Sequence, residues 1–186
     1  MYYGDDRGSV HVIELSTLDL NLRPIKIEQE EGFILNFINI NQLENGSSCS
    51  VVKDVHKDWV TRIQYIASLR TIISTSTDEE NSFALIPPEC FKYKNAFNVT
   101  TTPVTKGIKC FSFSASNSSI ITGGGDRVLR IWLRGNYSEP TGKMKGHLFI
   151  ITDVIVHDVS QLCFSSDSSN MIKIWDLRSL ACLQYS

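Results

Sequence analysis

The chain has 186 residues, 42% of them hydrophobic and 20% charged, which is ordinary globular composition and excludes disorder as the default state. Eighteen basic against twenty acidic residues leave a formal net charge of −2, so no global charge draws the chain to nucleic acid or to an anionic membrane. The N-terminus has no basic region followed by an apolar run, and no apolar stretch approaches the ~20 residues of a membrane span, so a cytoplasmic chain is expected.

Residues 1–27 read as the tail of a sheet unit. Gly4-Asp5-Asp6-Arg7-Gly8 is a turn cluster, and Ser9-Val10-His11-Val12-Ile13-Glu14-Leu15 alternates as a strand leaving it. Residues 28–53 break the pattern. Glu28-Gln29-Glu30-Glu31 opens a segment with Phe33, Ile34, Phe37, Ile38 and Ile40 at mixed helical spacing, ending in Glu44-Asn45-Gly46-Ser47-Ser48, which predicts an irregular or short-helical insertion.

From Asp54 onward the chain repeats, and the repeat can be counted. Tyr65, Phe113 and Val156 each end a β-prone run; nine residues later stand Ser74, Thr122 and Ser165, and four further Asp78, Asp126 and Ser169. Six beyond those stand Ala84, Trp132 and Trp175, and nine before the starting points stand His56, Val104 and His147. Three units, 54–104, 105–144 and 145–186, follow from this register. In the last, Ile151 to Val156, Gln161 to Ser165, Met171 to Trp175 and Ala181 to Tyr185 read as four short strands. Five cysteines occur (Cys49, Cys90, Cys110, Cys163, Cys182); Cys110, Cys163 and Cys182 fall in apolar strand runs, which predicts reduced, buried thiols.

Gly146-His147, followed 28 residues after the His by Trp175-Asp176, resembles the WD-repeat family, whose units run to about 40–45 residues. The resemblance implies an all-β WD-repeat β-propeller fragment, with about three full four-stranded blades plus part of a preceding blade. It also implies a hydrogen-bonded chain in each blade, from a His before the first strand through a Ser or Thr on the second and an Asp in the next turn to a Trp on the third. On the counted register the first unit has His56, Ser74 and Asp78 but Ala84 for the Trp. The second has Thr122, Asp126 and Trp132 but Val104 for the His, and the third has His147, Ser165 and Trp175 but Ser169 for the Asp. With one member missing from each, packing is expected to hold the blades more than the polar chain does. Three and a half blades do not close a ring. A piece of a longer protein, a truncated isoform or an incomplete gene model is therefore expected, its missing blades supplied by a longer chain or by self-association.

Gly123-Gly124-Gly125-Asp126 precedes a strand-like run rather than a helix, so it reads as a tight turn and not a phosphate loop. No His/Cys spacing matches a metal site and no nucleophile elbow is present, so no cofactor, metal or catalysis is expected. In related propellers partners dock where positions three and five after the repeat His point. These are Trp59 and Thr61, Gly107 and Lys109, and Ile150 and Thr152. Trp59 reads equally as an aromatic anchor or as packing against a neighbouring blade. Glu79 and Glu80 fall on the same face and suit a basic partner.

A non-catalytic protein–protein interaction scaffold is the leading expectation, with no nucleic-acid or membrane partner. Trp175-Asp176-Leu177-Arg178 also resembles the Trp-Asp-x-Arg ending of substrate receptors of cullin-type ubiquitin ligases, which makes Arg178 an adaptor-binding candidate and that role the alternative. A hydrolase propeller with a central metal needs acidic or His residues along the inner strands, and Val60 to Tyr65 and Ile108 to Phe113 offer few. The Gly4-to-Gly8 turn, the insertion and the His56-Lys57-Asp58-Trp59-Val60 opening together resemble long WD-repeat proteins associated with EF-hands or cilia, which extends the expected location to the cilium.

Overall fold

The structure, a computed structural model, describes residues 2–13, 25–26, 34–35, 49–91 and 99–185. Strands β1 (Tyr2–Gly4) and β2 (Val10–Ile13) pair across the turn at 5–9. That turn is built by Asp5, whose carboxylate accepts from the Arg7 and Ser9 N–H groups at 2.9 and 2.8 Å and from His11 Nε2 at 2.9 Å. Gly8 closes it at φ +77°, where a Cβ would lie 2.1 Å from the His56 carbonyl oxygen. Strands β3 (Ile25–Lys26) and β4 (Ile34–Leu35) form a two-stranded ladder, and β5 (Cys49–Val52) returns to pair with β2.

This arrangement corrects the expected division at residue 27. Ile34–Leu35 and Cys49–Val52, both inside the 28–53 stretch read as irregular or short-helical, are strands, while the rest of that stretch up to Ser48, apart from these, lies outside the described residues. The first sheet therefore has three strands in the order β1-β2-β5, and the insertion falls within it. The reason is range. A four-residue strand carries almost no local signal, and its identity comes from a partner far upstream, in the register Val10 to Val52 through Ile13 to Cys49.

Three four-stranded antiparallel sheets follow, each with its strands in chain order. The first comprises β6 (Val60–Ile66), β7 (Thr71–Ser76), β8 (Phe83–Ile86) and β9 (Thr100–Thr102), with a 3-10 turn at Pro88–Phe91 before the last. The second comprises β10 (Ile108–Ser114), β11 (Ser119–Gly124), β12 (Val128–Leu133) and β13 (Gly142–Lys145). The third comprises β14 (Ile151–His157), β15 (Leu162–Asp167), β16 (Ile172–Asp176) and β17 (Cys182–Tyr185). The leading strand of each is bulged at the same place, between Val60 and Arg62, Ile108 and Cys110, and Ile151 and Asp153.

The core lies between successive sheets. Period-two alternation turns neighbouring residues to opposite faces, so the apolar pairs Ile72-Ile73 and Ile120-Ile121 each serve two cores. Ile72 packs with Val10, Ala84 and Ile86 against the three-stranded sheet; Ile73, Phe83 and Leu85 meet Ile108, Phe111, Ile120 and Trp132. Ile121, Leu129 and Met144 then meet Ile151, Val154, Cys163 and Trp175. Phe83 and Trp132 stack across their boundary with ring centroids 5.7 Å apart.

Two local expectations need correction. Gly123 and Gly124 end β11, and only Gly125 to Arg127 turn; a Cβ on Gly124 would lie 2.2 Å from the Gly107 carbonyl oxygen, so close approach of the neighbouring loop demands glycine there. Cys110 and Cys163 are buried as expected, and burial pushes both thiols up to about 12. Cys182, in contrast, is exposed, because β17 is the edge strand of its sheet and has a neighbour on one side only.

Candidate functional site

Up-and-down sheets place their connections alternately at two ends. One end carries the links entering the leading strands, at 55–59, 103–107 and 146–150, together with the turns at 77–82, 125–127 and 168–171. Here a groove of about 650 Å³ is lined by Trp59, Thr61, Lys109 and Thr152, with Asp58 and Thr77. Three successive sheets thus contribute to one surface. Ile150 lies beside it, in a second depression of about 530 Å³ that shares Lys109 and adds Lys106, Arg127, Leu148 and Phe149. Arg178 stands elsewhere, exposed in the turn after β16 at the opposite end.

Trp59 is 66% exposed, so it is not buried against a neighbouring sheet. Its loop is nevertheless fixed. The Asp58 carboxylate accepts from the Trp59 N–H at 2.8 Å and from the Thr77 hydroxyl at 2.7 Å. The Asp78 carboxylate accepts from the Lys57 and Glu80 N–H groups at 2.8 and 2.9 Å. Burial of Asp78 opposes its ionisation, but the Lys57, Glu80 and Asn81 N–H groups outweigh it and hold the carboxyl below its ordinary value. The Thr77 hydroxyl and then the Trp59 N–H do the same for Asp58.

The remaining candidates divide by task. The Thr61 hydroxyl donates to the Ile108 carbonyl at 3.0 Å, so it fastens the first full sheet to the second as well as lining the groove. The Thr152 hydroxyl donates to the Ser166 carbonyl at 3.3 Å within its own sheet. Glu80 forms an ion pair with Lys57, while the Glu79 carbonyl accepts from the Val104 N–H at 3.2 Å and its side chain is exposed. Sequence reasoning missed Asp58 and Thr77. The available signal was an Asp directly before an exposed aromatic in a turn, where its carboxylate can cap the following N–H.

The polar chains inside the sheets differ from the counted register. In the third sheet the Trp175 Nε1–H donates to Ser165 Oγ at 2.8 Å, the Ser165 hydroxyl donates to His147 Nε2 at 2.7 Å, and His147 Nδ1–H donates to Asp167 at 2.8 Å. The acceptor-only carboxylate fixes that direction and the imidazole tautomer. Ser169 therefore leaves no gap: Asp167, two residues earlier, takes the carboxylate role, and Ser169 Oγ donates to it at 2.6 Å. Asp167 is buried, which opposes ionisation, yet the Ser169 hydroxyl, His147 and the Ser169 and Met171 N–H groups bring its pKa to about 2.

In the first full sheet the Ser74 hydroxyl donates to His56 Nε2 at 2.7 Å, and His56 Nδ1 donates to the Asn81 carbonyl instead of to Asp78, which is occupied with the Trp59 loop. Burial holds the His56 imidazole below its ordinary pKa, hence neutral, although the Asn81 carbonyl and Asp78 pull the other way. In the second, the Trp132 Nε1–H donates to Thr122 Oγ1 at 2.9 Å, and Asp126 pairs with Arg130 where no repeat His exists. The expected missing member is thus not missing in the third blade, where the chain is continuous through Asp167.

Stacked four-stranded antiparallel sheets with bulged leading strands and a buried His–Ser–Trp chain define propeller-type blades. The family profile described as "WD domain, G-beta repeat" matches residues 97–132 and 138–176. A "WD repeat-containing protein on Y chromosome" of Anopheles gambiae is 35% identical over 81 residues, covering 44% of this chain and 8% of that protein. Proteins described in the same words from Drosophila grimshawi and Drosophila pseudoobscura pseudoobscura are 35% and 33% identical over 78 and 81 residues, covering 42% and 44% of this chain and 7% and 8% of theirs. The matched stretch is thus under a tenth of each relative's length. Residues 97–132 and 138–176 are thus WD repeats, units that generally build protein-interaction scaffolds. Each matched repeat begins before the last strand of one sheet and ends with the third strand of the next, so a repeat spans two blades and welds them.

Proposed function

We propose that this chain is a non-catalytic scaffold that binds other proteins through the end bearing Trp59, Thr61, Lys109, Ile150 and Thr152, as part of a larger WD-repeat propeller. One observation carries the reading. Trp59 is a large apolar side chain held in water by a loop whose carboxylates are all committed to its backbone and neighbours, beside a groove to which three blades contribute. An aromatic anchor that is already ordered loses little entropy on binding and commonly dominates an interface.

A selection of displayed peptides on the 186-residue chain tests this. Enriched sequences are expected to lose ~2 kcal/mol or more of affinity on Trp59→Ala. Enrichment that survives both Trp59→Ala and Lys109→Ala places the docking surface elsewhere. Further blades from a longer chain, or from a second copy, complete the ring in this reading, and the scaffold works in the cytoplasm, the ciliary compartment included. A fluorescent fusion confined to another compartment would count against that location.

The ubiquitin-ligase receptor reading rests on Arg178. Its N–H is held by Asp176 Oδ1 at 2.8 Å while its side chain is exposed, at the end remote from the Trp59 groove. Both surfaces are therefore open at once. Loss of adaptor binding on Arg178→Ala supports this second role, and binding unchanged by that substitution excludes it.

A further inference from the structure

Leu148, Phe149 and Ile150 form a run of three exposed apolar side chains, 76%, 52% and 38% exposed, between the buried His147 and the start of β14. Such a run is costly on a free surface and marks a contact site. The second blade sets three cations around it: Lys106, Lys109 and Arg127 line the same depression, and the Arg127 guanidinium is steered there by donating to the Leu148 carbonyl at 3.2 Å. Among the described residues none of the three stands within ion-pair distance of a carboxylate; Asp153 pairs with Arg62 and Asp126 with Arg130. A chain of net charge −2 thus presents a local surface of three unpaired positive charges interleaved with apolar side chains.

We infer that this depression takes an extended acidic segment of a partner protein, in which Asp or Glu residues alternate with bulky apolar ones. The carboxylates meet Lys106, Lys109 and Arg127, and an apolar side chain covers Phe149. Charge complementarity selects this occupant. Nucleic acid uses cations tracking a backbone with aromatic platforms for the bases, whereas here the apolar run is mostly aliphatic. The inference rests on the docking end proposed above, because Lys109 belongs to both depressions.

Lys106 and Arg127 sit at φ 62° and 67°, where glycine is the unstrained residue. The double substitution Lys106→Gly/Arg127→Gly therefore removes two charges at positions whose backbone accepts it. The probe is a labelled peptide of about ten residues with alternating Glu and Leu or Phe, read by fluorescence anisotropy. Saturable binding that weakens steeply with salt, and about tenfold on the double substitution with an unchanged thermal midpoint, is expected. Equal binding of a peptide carrying Lys for Glu, no loss in the double variant, or tighter binding of a single-stranded oligonucleotide overturns the inference. Displayed sequences that depend on Trp59 while the acidic probe fails would leave the docking end standing and remove this inference alone.

Discussion

Asp167 shows how a single carboxylate can complete a buried chain from an unexpected position. Its sign of linkage follows from its pKa of about 2. An unfolded Asp titrates near ~4, so on acidification the unfolded chain takes up a proton first and stability falls between pH ~4 and ~2, being fully present above that range. Asp167→Asn is expected to cost about 1–3 kcal/mol at neutral pH and to flatten the acid limb, read by urea titrations at several pH values. Ser169→Asp, which sets a second carboxylate beside Asp167, gives no gain in thermal midpoint. Buried His56 behaves similarly at higher pH: with its pKa lowered, the unfolded state protonates first, and its contribution declines as pH falls below ~6.5. The signal for Asp167 was present in the chain, since Ser165 and Asp167 share one face of a strand. Counting residues alone set the carboxylate at Ser169, because counting fixes position and not reach.

At the scale of the element, the three full sheets were legible because apolar pairs and polar markers recur at fixed intervals from Asp54 onward. The resulting units, 54–104, 105–144 and 145–186, each enclose the strands of one sheet apart from Lys145, which ends β13. The β5 strand was not legible, because its partner β2 lies across an insertion whose own pattern suggested helix. Burial at the blade boundaries also makes a chemical prediction. Cys110 and Cys163, with thiols pushed up to about 12, should resist iodoacetamide in the folded chain while the exposed Cys182 is modified rapidly, as peptide mass spectrometry would record. Modification of Cys110 and Cys163 at the rate of Cys182 would mean that the boundary cores open readily. Gly124→Ala is expected to destabilise by about 1–3 kcal/mol in thermal melts, because its Cβ meets the Gly107 carbonyl.

For the whole molecule, the blades are joined by more than their cores. Thr61 bonds to the second blade, and Arg62 reaches from β6 over the Phe111 ring to Asp153 on β14 at 2.6 Å. Asp158 accepts from the Ser114 hydroxyl and the Ala115 N–H at 2.6 and 3.0 Å at the opposite end. The lining of the depressions at the end proposed for docking was legible where repeat position reports direction, as at Trp59, Lys109 and Thr152. It was illegible where the contributors come from turns of other strands, as with Lys106, Arg127 and Phe149, which only the packing of blades brings together. Trp59 tests the central claim directly. The chain has three tryptophans, and Trp132 and Trp175 are each 1% exposed, so solvent-quenched emission reports Trp59. Acrylamide quenching of the free chain and of the chain saturated with a selected peptide is the measurement. The account predicts that binding protects the exposed emission and that Trp59→Phe removes the change; saturable binding that leaves quenching untouched would contradict it and put the partner on another surface.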